Sequence, residues 1–287
     1  MDSYPSLAGS TFSVAGKGWH SLAIDVDDRL IFKFPAGEEA EAALRREAAL
    51  LAVVRPAVDI PVPDMVIHDG PRPFSMHVKL RGGIMPAERY MMLGEAARQQ
   101  LGEALGLFFA QMHAIDREMM RAAGALPVEL SRTDDAALAF AWPQLPEHAV
   151  RLARLALADY RALPPDPLGE VYAFIDAHGW NMAYDEAADR LAGMSDFADS
   201  GFASPHREFV QTSLISPDLT LRAISAYESA SRRLIDRRRV FLLTAAHRLS
   251  EFAGMIETNG DVDAWRGAVV DWFDQTERFG WQPKAGR

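Results

Sequence analysis

Hydrophobic and polar positions change rhythm along the chain. From Phe12 to about Leu80 short runs of alternating character predict strands: "HSLAIDV" and "RLIFKFP" are separated in hairpin fashion by Asp27 and Asp28, and "VDIPVPDMVIHDGPRPFSMHVKL" reads as two further extended runs around "DGPRP". One helix interrupts them over residues 38–54, "EEAEAALRREAALLAVV". Its apolar stripe of Leu44, Ala48 and Leu51 is widened by Ala43, Leu50 and Val54, and its first turn is acidic, as the helix dipole favours. "RGG" at 81–83 predicts a flexible joint. Beyond it the apolar spacing is helical over 87–123 and 220–275, for example at Leu101, Leu105, Phe108, Phe109 and Met112. A strand-rich island lies between, with "NMAY" and "RLAGMSDF" joined by the polar turn "DEAAD". The predicted fold is α+β in two lobes: a small sheet-rich N-terminal lobe, residues 1–80, and a larger, mainly helical C-terminal lobe, residues 81–287.

Composition narrows the chemistry. The 287 residues, 49% of them hydrophobic, can bury a sizeable core in one large domain or two lobes. The absence of cysteine removes disulfides, thiolate zinc sites and a cysteine nucleophile. No basic segment leads into an apolar run at the start, and no stretch approaches the roughly 20 apolar residues that cross a bilayer. A cytoplasmic protein without a membrane partner is therefore expected. The formal charge of −10 argues against a nucleic-acid partner and mildly favours cationic small molecules. Oligomeric state is not legible.

Two charges stand out against this background. Glu47 lies among the apolar rows of the 38–54 helix, and Lys33 alternates with Phe32 and Phe34 on an otherwise apolar strand. Either they satisfy each other, or both reach solvent at an edge. Further on, "IDAHGWNMAYDEAADRLAGMSDFAD" folds as a hairpin whose open end brings Asn181 and Asp196 together, with Asp176 just upstream. Any one of these serves readily as a loop hydrogen bonder. Together they are hard oxygen donors of the kind Mg²⁺ takes when phosphates complete its shell. A phosphoryl-transfer site needs a cation on the nucleotide phosphates, an acid that aims it, a metal held by oxygens, and a carboxylate beside the acceptor hydroxyl. Lys33, Glu47, Asp176, Asn181 and Asp196 supply these in the kinase order of strand lysine, helix glutamate, catalytic aspartate, asparagine five residues later and metal-binding aspartate.

Over nearly its whole length the chain resembles the aminoglycoside phosphotransferase family, kinase-like enzymes that phosphorylate small molecules. "AGKGWHSLAIDV" is similar to the family's glycine-containing opening, "LIFKFP" to its lysine strand and "LRREAALL" to its helix. "FIDAHGWN" resembles the catalytic "HGDxHxxN" pattern, "DFAD" the "DFGD" metal motif, and "SPHREF" the "DPxxDF" that follows it. The lysine region most resembles the branch acting on the aminoglycoside 2″ hydroxyl. The resemblance implies a protein-kinase-like two-lobed fold. It gives Asp176 the base or hydroxyl-orienting role, His178 a phosphate contact, Asn181 and Asp196 the metal, and Asp199 a supporting part. Phe174 stands where a histidine is usual, Ala198 where a glycine is usual, Trp180 where a small residue is common, and Glu208 where an aspartate is usual.

The expected activity is Mg²⁺-dependent transfer of the γ-phosphoryl group of ATP or GTP to a hydroxyl of a small molecule, such as an aminoglycoside or another cationic acceptor. The rival reading is an inactive, kinase-like nucleotide-binding sensor or scaffold. Gly16, Gly18, Ser21, Lys33 and Glu47 are the expected nucleotide contacts, and His77, Val78, Lys79 and Leu80 the hinge that offers backbone groups to the purine. Asp199 and Glu208 are candidate acceptor contacts, with a hydrogen-bonding role at the base of the loop also open to Glu208. The acceptor pocket is expected from residues 130–165 and 200–235, acidic enough to favour a cation. His113 is expected to be structural, and Trp19 and Trp180 to pack near the cleft.

Overall fold

The computed structural model of the chain describes residues 4–17, 21–258 and 260–278. Five antiparallel strands open the chain: β1 (Phe12–Lys17), β2 (Ser21–Val26), β3 (Leu30–Pro35), β4 (Val66–His68) and β5 (Phe74–Val78), in the order β1-β2-β3-β5-β4. Asp27 and Asp28 both take φ of 56°, the left-handed conformation that a tight hairpin turn requires, and the Arg29 amide closes the turn on the Val26 carbonyl at 3.0 Å. Successive β3 side chains point to opposite faces. Phe32 and Phe34 therefore join Phe74 in an aromatic cluster on one side, and Lys33 is left on the other.

Helix α1 (Glu38–Val54) covers that other side. Its buried residues Ala40, Leu44, Glu47, Leu51 and Val54 are spaced three and four apart, so the one carboxylate sits in the middle of the apolar stripe. Leu50, Leu51 and Val54 enter the same core as Leu101, Leu105, Phe108 and Phe109 of α3 (Glu95–Ala114), which joins the sheet-rich part to the helical part. Helix α3 lies close along α8 (Pro217–Ser231) because Gly102 and Gly106 leave room: a methyl on either would sit 2.4 Å from α8 atoms.

Around this pair lie α2 (Ala87–Met92), α4 (Arg117–Ala122), α5 (Asp135–Leu138), α6 (Glu147–Arg161), α7 (Val210–Ile215), α9 (Arg237–Glu257) and α10 (Val262–Arg278). A second core holds α5, α6, α9 and α10 together through Leu138, Leu157, Leu242, Leu249, Phe252 and Trp272. Between α6 and α7 run β6 (Val171–Ala173), β7 (Met182–Asp185), β8 (Arg190–Met194) and β9 (Gly201–Ala203), paired as β6-β9 and β7-β8. The island and its hairpin are those the sequence predicts. The "RGG" segment is tied down rather than a free joint: Gly83 and Tyr184 exchange backbone hydrogen bonds of 2.9 and 2.8 Å. Among the described residues no helix is long and apolar enough to cross a membrane.

Candidate active site

Lys33 and Glu47 meet. The Lys33 Nζ donates to both Glu47 oxygens at 2.9 and 3.0 Å, and a third contact reaches Asp196 Oδ1 at 3.4 Å. Glu47 is only 2% exposed, which rules out the solvent-reaching alternative for it. Burial alone would depress the Lys33 ammonium, but the Glu47 and Asp196 charges outweigh it and hold the pKa above the usual lysine value. Burial pushes the Glu47 carboxyl up, while Lys33 and the Phe197 amide, 3.2 Å from Oε1, act against it. With donors on both oxygens the two residues form an ion pair.

The loop after β6 is held from below. Ile175 has φ of 69°, costly for a β-branched residue, and the Glu208 carboxylate fixes it there. Oε1 accepts from the Ile175 amide at 2.8 Å, and Oε2 from the Phe174 amide at 2.9 Å and from His113 Nε2 at 3.0 Å. His113 Nδ1 is then left to accept from the Tyr227 hydroxyl, 2.9 Å away. This corrects one expectation: Glu208 is fully buried with both oxygens engaged, so it is a support for the loop and not an acceptor contact. His113 is structural, as expected. Phe174 anchors the loop through apolar packing, its ring 5.7 Å from Phe108 and 4.7 Å from Phe197 between centroids.

Above that support the polar groups converge. Asn181 Nδ2 donates to Asp176 Oδ2 at 2.7 Å and to the Asp176 carbonyl at 3.0 Å. With Nδ2 so engaged, Asn181 Oδ1 makes no hydrogen bond among the described residues. The hairpin brings Asp196 to the same place, since Met182 pairs with Met194 and the Ser195 amide donates to the Asn181 carbonyl at 2.9 Å. Asp196 itself takes φ of 65°, and the Phe197 amide that follows it is the one Glu47 holds. His178 Nε2 lies 3.5 Å from Asp176 Oδ2; burial would lower its pKa, and the Asp176 carboxylate more than reverses that and raises it. Gly179 can only be glycine here, because a methyl would fall 1.9 Å from the Met85 carbonyl.

The nucleotide-side expectations fare unevenly. Gly16 lies in β1 opposite Ala23, next to a register shift, and Ser21 opens β2 opposite Pro35. Gly18 and Trp19 fall outside the described residues. Lys79 is corrected as a donor to a purine: its amide donates to the Arg29 carbonyl at 2.8 Å and its ammonium pairs with Asp25 and Asp28. Ladder bonds alternate, so Val78 faces the opposite edge, where the ring of His77 reaches its carbonyl at 2.9 Å. Leu80 follows just beyond the strand.

Two cavities flank the loop. One of about 560 Å³ is lined by Asp176, Asp199, Arg207 and residues 126–132; the other, about 580 Å³, by His178, Trp180, Leu214 and Trp265. Gln211 and Glu251 line both. Residues 133–165 contribute to neither, whereas α9 and α10, outside the expected ranges, contribute Arg248, Glu251 and Trp265. The walls are also not simply acidic, since Arg46, Arg132, Arg207 and Arg248 stand among the carboxylates. Arg248 carries the same signal that marks Glu47, a charge at a core-facing helical position, here between Ala245, Leu249 and Phe252.

Comparison with known proteins shows the family and the fold. The profile of the phosphotransferase enzyme family matches residues 11–242. No curated protein matches the sequence. Among solved structures, the GDP and kanamycin complex of APH(2″)-IIIa superposes with a TM-score of 0.78 at 20% identity, over 98% of this chain and 97% of that one. The ADP-bound aminoglycoside phosphotransferase APH(2″)-Ib gives 0.64 at 15% identity over 94% of both chains. The macrolide 2′-phosphotransferase MphH from Brachybacterium faecium, an apoenzyme, gives 0.61 at 16% identity over 92% and 93%.

Proposed function

The chain belongs to the phosphotransferase enzyme family, and we propose that it moves the γ-phosphoryl group of ATP or GTP to a hydroxyl of a small molecule with the help of Mg²⁺. The observation that carries this is the Lys33 ammonium, held by the buried Glu47 and touching Asp196, next to a hairpin whose Ser195–Asn181 backbone bond sets Asp196 near the Asn181–Asp176 pair.

The donor set suits a divalent cation. Asp196 has a half-exposed carboxylate and Asn181 an unengaged Oδ1, and among the described residues no cluster of three or more acids or histidines surrounds them. Two protein oxygens with water and phosphates making up the rest is how Mg²⁺ is commonly held. The bound ion supplies charge neutralisation on the phosphates. Lys33 supplies a second positive charge there, and Glu47 fixes where it points. Asp176 accepts a hydrogen bond from the acceptor hydroxyl; as the new O–P bond forms and the bond to the β-phosphate oxygen breaks, the hydroxyl proton passes to Asp176 and the nucleoside diphosphate departs. Asn181 holds the Asp176 carboxylate in position through its 2.7 Å bond. The hinge from His77 to Leu80 would meet the purine through Val78 and Leu80, since Lys79 is engaged elsewhere.

The test is turnover of Mg·ATP and Mg·GTP against a panel of hydroxylated acceptors, with phosphorylated product identified by mass. Transfer abolished by Asp176→Asn supports the reading. A protein that binds Mg·nucleotide and transfers to no acceptor would be the sensor or scaffold instead.

A further inference from the structure

The second cavity is closed by the catalytic-loop turn with His178 and Trp180, by Gln211 on α7, by Arg248 and Glu251 on α9, and by Trp265 on α10. Gln211 and Arg248 are each only 8% exposed, yet among the described residues Gln211 Oε1 and Arg248 Nε have no hydrogen-bond partner. The same is true of Glu251 Oε2 and His178 Nδ1. Buried polar groups in folded proteins are normally matched, and here the four unmatched atoms belong to residues that line one pocket.

The two charged members are incompletely paired in opposite senses. Arg248 donates to the Leu214 carbonyl at 3.3 Å and forms no ion pair among the described residues. Burial lowers its guanidinium to about 10 despite the charges of Glu251 and Asp271. Glu251 engages His247 through Oε1, at 3.3 Å, and its buried Oε2 has no hydrogen-bond partner among the described residues. Being three apart on α9, they share a face and offer a cation and an anion side by side. Asp176 itself lines the first cavity, and the second adjoins it through His178, 3.5 Å from the Asp176 carboxylate. Leu214, Ile215 and the two tryptophans make most of the remaining wall apolar. The wall's other carboxylate is the exposed Glu88, and a polycation would still leave Arg248 facing like charge.

We propose that the acceptor is a hydroxylated zwitterion with an apolar body, its carboxylate or equivalent anionic group meeting Arg248, its ammonium meeting Glu251 and its body lying against Trp180 and Trp265. This rests on the phosphotransfer reading, because it names the molecule that reading leaves open.

Calorimetric titration of the full chain tests it with matched probes: L-seryl-L-phenylalanine, its C-terminal amide, its N-acetyl form, and kanamycin as a polycation. The dipeptide should bind about ten-fold or more tighter than either single-charge form. Arg248→Gln should erase its advantage over the amide but keep that over the acetyl form, and Glu251→Gln should do the reverse. Arg248→Lys, which keeps the charge, should retain a preference for acid over amide, and guards against a glutamine variant that fails to fold. The proposal is overturned by absence of dipeptide binding, by equal binding of acid and amide, by tighter binding of kanamycin, or by Arg248→Gln weakening every probe alike, as a purely structural bond to Leu214 predicts. Dipeptide binding with no transfer from Mg·ATP or Mg·GTP would keep the pocket assignment and remove the phosphotransfer one.

Discussion

The Glu47 carboxylate accepts from the Phe197 amide at 3.2 Å through the same oxygen that Lys33 approaches to 2.9 Å. One buried side chain on α1 therefore sets the direction of the Lys33 ammonium and also grips the backbone immediately after Asp196. Glu47→Gln keeps the shape and removes the charge, leaving Lys33 with only the partly exposed Asp196. Breaking a buried pair from one side costs about 3–5 kcal/mol. Misplacing Lys33 and the metal loop together should lower kcat ~100-fold. Urea denaturation and steady-state transfer measure the two effects, and unchanged kcat with lowered stability would reduce Glu47 to a packing element.

Glu208 performs the matching task under the catalytic loop, where Ile175 at φ of 69° is held by the bond from its amide. Glu208→Gln replaces one accepting oxygen with an N–H₂ that faces donors. Loss of charge-assisted hydrogen bonds of this kind costs about 1.5–3 kcal/mol. The melting temperature should fall, and kcat should fall with it as Asp176 loses its footing. A variant with reduced acceptor affinity and native stability would restore Glu208 to the substrate side.

Much of this arrangement is legible in the sequence because a few local rules are strict. Helix α1 begins and ends at the expected residues, since its acidic first turn and apolar spacing agree, and Glu47 is conspicuous as a charge on a buried stripe. The island hairpin places Asn181 beside Asp196 because register carries residues at strand ends together. What escapes is set by tertiary contacts between distant segments. Nothing local to Lys79 announces that Asp25 and Asp28 hold it, and the Gly83 bridge to Tyr184 depends on a strand a hundred residues away. Arg248 was legible in principle, but a basic residue in a helix rich in arginine reads as surface until its neighbours are known to be buried.

Asp176 and Asp196 should separate kinetically. Asp176→Asn keeps the Asn181 network sterically intact but removes the proton acceptor, so kcat should drop about 10²–10⁴-fold with little change in nucleotide KM. Asp196→Asn would weaken the proposed metal contact and free Lys33 from its charged 3.4 Å partner, so the Mg²⁺ concentration for half-maximal rate should rise. Chelation of Mg²⁺ should abolish transfer in the unaltered protein. If both variants raised the Mg²⁺ requirement equally, Asp176 would be a metal ligand and not the proton acceptor.

His77 gives the fold a pH dependence of definite sign. It is buried near the end of β5, and burial holds its imidazole below the ordinary histidine value, with the nearby Lys33 charge acting the same way and the Val78 carbonyl opposing. The unfolded chain, whose histidine keeps a pKa near ~6.5, therefore binds a proton more readily than the folded one. Stability from this group is present above that value and is lost as pH falls toward the lower folded pKa. One such group changes stability by at most about 1.4 kcal/mol per pH unit. His206, likewise held low by burial, adds a decline of the same sign, whereas the raised value of His178 acts in the opposite direction. The contribution of His77 is isolated by comparing urea midpoints of the unaltered protein and His77→Gln at pH 7.5 and 5.5. The glutamine variant should lose less stability on acidification, and parallel losses in the two proteins would show that His77 stays uncharged or equally accessible in both states.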